Sequence, residues 1–425
     1  MRAELRDEAL ARVSRVLEPV TKAPRLLDTL TWPQAVERAF FAGGADALPE
    51  VTYDIDRVRC EANLVALADL DRELAGDHPL LTWLRALVRS HGDTNRMLLA
   101  IGTPAFYELS LELYGGARTT ALDVDTTNLD FAEHLAGRLG TSVPDSDASG
   151  EGALDDEACI AEMSRMASRR RRPIVVDFAL DPEMTAKVSA GSTRIRVRTG
   201  ATFDPVEARG LFHHEIETHA LTAQNGAAQT RLPFLRSGGP RATRTQEGLA
   251  VFSELYERAL TTDRMRRLVE RVRLVAMAED HASFLDVYRH LVSGGASPRD
   301  AFLDAQRIFR GGILEGGAPF TKDASYLSGL MDVYNFLRVA MRAGARVVAE
   351  VLVSGRLALD DLDALMWLRG EGVLEPPRLV PGWLSRHDRL VAYFAFTSFL
   401  NEVDLAPIEE RHRALLERVS AHARG

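Results

Sequence analysis

Cysteine is nearly missing from this sequence: two residues, Cys60 and Cys159, in a chain of 425. So few thiols exclude a disulfide framework and a thiolate-built metal site, and two reduced thiols are the simpler expectation. The N-terminal stretch MRAELRDEALARVSRVLEPV is charged throughout and lacks the apolar core of a signal peptide, so a cytoplasmic location is expected. Long apolar runs are lacking as well. The longest, Leu390 to Leu400, has 11 residues, against the roughly 20 that a membrane-spanning helix takes. Positive charge is in deficit too: 52 basic residues against 61 acidic leave a net charge of −9. That balance speaks against nucleic acid as a partner.

What is there is long enough for two or three packed units, or for one large domain with helical additions. Residues 1–142 form an expected N-terminal helical region, because apolar residues recur at three- and four-residue spacings, as in Asn63–Leu74 and Leu80–Val88. At 143–157 (VPDSDASGEGALDDE) the composition shifts to the Asp, Ser and Gly of a solvated loop. Arg169 to Arg172 then form four consecutive arginines, and 143–172 is taken as one segment. The arginine run reads either as a contact for an anion or as a solvated helix end beside the acidic loop. Beyond Pro173 the period changes. Ile174–Leu180 (IVVDFAL) is β-branched and apolar, a strand candidate. Within 187–203, Arg194, Ile195, Arg196, Val197 and Arg198 alternate, with the arginines on one face of a strand. From Asp204 onward helices return. The class expected is therefore α+β, mostly helical, with a small β-sheet preceding the key helix. A catalytic core is placed at 173–345, and a C-terminal helical region at 346–425 packs on it.

The helix after the strands carries the chemistry. Asp204 suits its N-cap, Pro205 its first position and Glu207 its third, a capping-box arrangement, while Asn225-Gly226 suits its end. Inside lies His213-His214-Glu215-Ile216-Glu217-Thr218-His219. Two imidazoles on one helix face, with a glutamate between them as general base, form a zinc-site pattern. The usual spacing is four. Here His214 and His219 are five apart, and on a regular α-helix they would diverge by roughly 140°. A single π-bulge would return His219 to the His214 face; otherwise the two are ordinary surface histidines. The third ligand candidate is Glu247 in Thr245-Gln246-Glu247-Gly248-Leu249-Ala250, with 27 residues between it and His219. Its other reading is a first-turn glutamate favoured by the helix dipole. Gly248 and Ala250 are small enough to let this helix approach the histidine helix closely. A further segment holds Phe309-Arg310-Gly311-Gly312, Phe320-Thr321-Lys322-Asp323 and Tyr326-Leu327-Ser328-Gly329. Its Arg310, Lys322 and Tyr326 could gather round a peptide carboxylate or oxyanion, or the segment is a helix corner capped by Thr321.

HEIETH, TQEGLA, FRGG, FTKDASYLSG and the earlier FYELSLELYGG (Phe106 to Gly116) together resemble the QEGLA-motif family. It is also called the flavohemoglobin expression-modulating QEGLA motif family, and its animal members are microtubule-associated tyrosine carboxypeptidases. The motifs span residues 106–329. The resemblance implies a zinc peptidase with a zincin-like core, His214, His219 and Glu247 as metal ligands, and Glu215 as the glutamate that activates the zinc-held water. The expectation is a zinc metallopeptidase of carboxypeptidase type, acting on the C-terminal segment of a peptide or protein. The animal members act on the acidic tail of tubulin, and that substrate is not carried over. Tyr326 or His281 is expected to help stabilise the oxyanion, and Arg310 and Lys322 to receive a terminal carboxylate. Arg196, with Arg194 and Arg198, would favour acidic peptides if the alternating strand pairs with an extended substrate. The alternative is a non-catalytic zinc-containing regulatory or binding protein. Against it, a structural zinc normally takes four protein ligands, and three candidates leave a position open.

Overall fold

The structure, a computed structural model, describes residues 1–22, 25–120, 125–139, 152–182, 184, 186–400, 405–407, 410–411 and 413. Helices dominate it, and a single small sheet stands ahead of the histidine helix among the described residues. The helices start where the sequence satisfies their first amides. Asp56 accepts from the Arg59 N–H at the head of Arg57–Glu73, and Pro79 and Pro104 take the first positions of Pro79–Leu99 and Pro104–Tyr114. Ser283 and Asp286 cap Phe284–Ser293 reciprocally. Of the expected acidic loop, residues 143–151 lie outside the described residues. Its last two belong to a helix instead, Asp156–Ser168, whose cap Asp155 accepts from the Ala158 N–H. Aspartates suit a helix start as well as a loop, because their carboxylates satisfy exposed first-turn amides.

Three short strands make the sheet: β1 (Asp177–Asp181), β2 (Val188–Ala190) and β3 (Arg194–Arg198). Their order is β1-β3-β2, with β1 parallel and β2 antiparallel to β3. The alternation in β3 is seen as expected, Ile195 and Val197 being fully buried and Arg194 and Arg196 exposed. Its expected role is not. β3 is bonded on both sides, so it has no free edge to offer a substrate; β2 is the edge strand that borders the histidine helix. The first strand also begins later than Ile174. The Gln224 side-chain amide bonds both the Val175 N–H and the Val175 carbonyl, taking the groups a ladder would need.

One apolar cluster joins Leu10, Leu84, Phe212, Phe252, Leu337 and Phe394, tying the N-terminal helices to the histidine helix and the C-terminal elements. A second gathers Trp32, Phe40, Phe284 and Phe302, and a third Leu30, Met97, Phe106 and Phe320. Phe212 and Phe320 stand immediately ahead of the site segments, so the side chains of the site grow out of two different cores. The Glu247 helix, Thr243–Tyr256, packs most extensively on Ser325–Arg342. There Gly248 meets Gly329: a methyl built on Gly248 would fall on the Gly329 carbonyl, and one on Gly329 would fall on the Arg244 carbonyl. Gly248 thus permits a close approach to this helix rather than to the histidine helix. Both cysteines are buried and free. No helix among the described residues is long and apolar enough to cross a membrane.

Candidate metal centre

The Asp204 carboxylate accepts from the Val206 and Glu207 N–H groups and starts an α-helix at Pro205. Glu207 does not reach back to complete the box, because Lys187 holds both of its oxygens at 2.9 Å. From Phe212 to Ala220 the helix widens into π geometry, then returns to α over Leu221–Ala227. Bonds from i to i+5 place residues five apart on one face. His214 and His219 consequently stand together, ring centroids 5.0 Å apart. The helix ends at Ala227, one residue beyond Asn225-Gly226, and neither residue of the pair takes a left-handed cap conformation. Asn225 is buried and donates to the Val353 and Leu379 carbonyls, and Gly226 lies so close to the Leu235 carbonyl that no side chain would fit. The pair serves packing in the last turn of the helix.

Glu247 completes a cluster with the two histidines. One of its carboxylate oxygens, Oε2, lies 3.4 Å from His214 Nε2 and 3.5 Å from His219 Nε2. All three ligand atoms fall within 4.8 Å of one another, so the group could hold a metal ion. The residues fit one on two further counts. Glu247 Oε2 is buried with no hydrogen-bond partner, and such an orphaned acceptor is costly unless a cation meets it. His214 Nδ1 is 2.6 Å from Glu254 Oε1, a contact that puts the proton on Nδ1 and turns the Nε2 lone pair to the cluster. A proton can take that lone pair instead of a metal: burial lowers the His214 pKa, but the carboxylates of Glu247 and Glu254 outweigh it and raise it to about 10. A divalent cation would supply the same positive charge between those carboxylates.

A cavity of about 650 Å³ opens on the cluster, walled by β2, the histidine helix, Gln246 and Glu247, and the 307–326 segment. Glu215 lines it, with Oε2 accepting from the Ala190 N–H of β2 at 2.9 Å. Tyr326 lines it too, its ring 6.4 Å from that of His214 and nearly parallel, with the Arg271 and Lys322 cations each 4.9 Å from the ring centre. Lys322 donates to Glu247 Oε1 at 2.9 Å and to the Tyr326 hydroxyl at 3.4 Å. Its ammonium therefore already belongs to the ligand carboxylate. Arg310 stands on the same wall, where burial, and then the neighbouring Arg307, push its pKa down to about 10. Its Nε is buried without a partner. Arg196 reaches the cavity from β3, 3.4 Å from Asp181. His281 is the residue not brought in. It lies at φ 68°, exposed, against Gly316 and Gly317 in the turn after Thr262–Glu279. Thr321 caps nothing either; its hydroxyl and N–H both meet Ser110 Oγ.

Three residues of the site were not singled out from the sequence. Glu254, held by Arg264 at 3.1 and 3.2 Å, orients His214. It follows Glu247 by seven residues, two turns along the same helix face, a spacing that could have drawn attention to it. Arg356 donates to the His219 carbonyl at 3.3 Å and lines the cavity, as does Arg307. Arg307 stands three residues ahead of Arg310, one turn along the same helix, whereas nothing near Arg356 in the sequence points to the site.

The model of the family described as microtubule-associated tyrosine carboxypeptidase matches residues 38–402. No curated protein matches the chain.

Proposed function

The chain belongs to the microtubule-associated tyrosine carboxypeptidase family, and from that premise we propose that it is a zinc-dependent carboxypeptidase with a zincin-like core. The observation that carries this reading is the buried, unpartnered Glu247 Oε2 facing two imidazole nitrogens. Two histidines and one carboxylate suit zinc and leave a coordination position open, the composition of a catalytic rather than a structural site. When bound, zinc would supply Lewis acidity and bring the pKa of a water towards neutrality. Glu215, fixed by the Ala190 N–H, would take the proton from the attacking water and return it to the leaving amine. The Tyr326 hydroxyl would donate to the developing oxyanion. Arg310, whose guanidinium has an unpaired buried Nε, would receive the terminal carboxylate of a peptide or protein, with Lys322 and Arg196 beside it.

Metal analysis of the purified chain, paired with peptides of varied C-terminal residue, tests the proposal. About one equivalent of zinc and loss of single C-terminal residues are expected. Glu215→Gln should keep the metal and lose at least about 100-fold in turnover; undiminished turnover would remove Glu215 from the role. Zinc binding with every peptide left intact would support a non-catalytic protein instead.

A further inference from the structure

The arginine run 169–172 has no part in the chemistry above, yet it borders a second cavity, of about 510 Å³. Arg378 and Arg386 join it, so six guanidinium groups face two carboxylates, those of Glu217 and Glu257. Both carboxylates are already engaged. Glu217 lies 2.7 Å from His213 Nδ1 and pairs with Arg170, while Glu257 pairs with Arg386. Arg170 and Arg172 also donate to the Val380 and Arg378 carbonyls, at 2.6 and 2.8 Å, which fastens the run onto the 378–386 segment.

What is left over is positive. Arg169, Arg171 and Arg172 make no ion pair among the described residues, and Arg378 has only an exposed Glu375 at 3.9 Å. Arg170 Nε is buried with no hydrogen-bond partner. Beyond the two paired guanidiniums, folding has thus collected four exposed ones around one concavity with little to neutralise them, and an anion there would relieve their solvent-weakened repulsion. The lining is also selective. Val380 is its one apolar side chain, and no Trp, Tyr or Phe is present to stack on a base. Guanidinium forks match the oxygens of phosphate with paired donors, and a concavity of about 510 Å³ lined from residues 169–172, 213 and 217, 257 and 378–386 has room for a compact anion.

We propose that this cavity binds the phosphate group of a small anionic molecule, on the face of the π turn opposite His214 and His219. His213 and Glu217 line this side of the turn, and His214, Glu215 and His219 the other. Binding here requires neither the metal nor the peptidase reaction.

Isothermal titration of the full chain with inorganic phosphate at low ionic strength tests it, with glycerol phosphate and hexaglutamate as parallel arms. Saturable binding of one phosphate is expected. The double variant Arg171→Ala/Arg378→Ala, both sites being exposed, should weaken it at least about tenfold while keeping the thermal midpoint. Arg310→Ala, in the other cavity, should leave it unchanged. Tighter binding of glycerol phosphate would identify a phosphate ester as the ligand, and equal binding free phosphate. Three results would overturn the proposal: no binding beyond that of chloride, binding abolished by Arg310→Ala but kept in the double variant, or hexaglutamate bound where phosphate is not.

Discussion

Glu254 decides which nitrogen of His214 faces the cavity. Its carboxylate sits 2.6 Å from Nδ1 and is itself gripped by Arg264, so the imidazole has one tautomer and one orientation open to it. Burial raises the Glu254 pKa, but Arg264 and His214 outweigh it and hold it at about 2, ionised across the working range. Glu254→Gln keeps the shape and removes the charge. We expect metal affinity to fall by about 10- to 100-fold, measured by competition with a chelator; unaltered affinity would make Glu254 a mere packing group. Arg310 allows a second test at this scale. Arg310→Ala should raise KM for peptides with a free C-terminus and leave amidated peptides unaffected, whereas an equal change in both would assign the arginine to structure. The histidines, Glu215 and Glu247 could be singled out in the sequence because they fall in short local patterns, and the structure brings them to one cavity. Arg356 could not, since it meets the His219 carbonyl across 137 positions of chain.

At the scale of elements, the widened turn explains a spacing that a regular α-helix cannot use. The five-residue spacing of the histidines calls for it if they are to act together, because only i to i+5 bonding puts both rings on one face. The helix start was equally legible, Asp204 and Pro205 standing where caps require them. Pairing was not. Alternation in Arg194–Arg198 fixes which side chains are buried, but says nothing about which neighbours flank a strand, and β3 proved to be central. The same limit applies to Gly248, whose smallness announced a close contact without saying with what. Gly248→Ala would force the methyl onto the Gly329 carbonyl. Overpacking of this kind costs about 1–3 kcal/mol, so a lower urea midpoint is expected, and a midpoint equal to wild type would show that the helix pair can separate freely.

Across the whole molecule, buried histidines tie stability to pH. Burial holds the His91 pKa down at about 4, against an ordinary 6.5. Above pH 6.5 neither state takes a proton there and the contribution of neutral His91 is complete. As the pH falls from 6.5 towards 4 the unfolded chain binds a proton that the folded one refuses, so stability is lost over that window. At pH 5 the loss is about 2 kcal/mol. Urea unfolding at pH 7 and pH 5 measures it: His91→Leu should lose about 2 kcal/mol less than wild type between the two, and identical losses would place the titration elsewhere. His213 has a pKa lowered to about 4 as well, by burial first and then by Arg209 and Arg170, so part of the acid sensitivity should persist in the variant.

Glu247 is the immediate neighbour of the glycine crossing, where peptide groups touch with no side chains between them. Such a joint has no rotamers through which to relax, and it carries the carboxylate as a hinge pin carries a door. On warming, the grouping of His214, His219 and Glu247 should persist undiminished and then vanish in the same transition that parts the two helices, rather than decaying ahead of it.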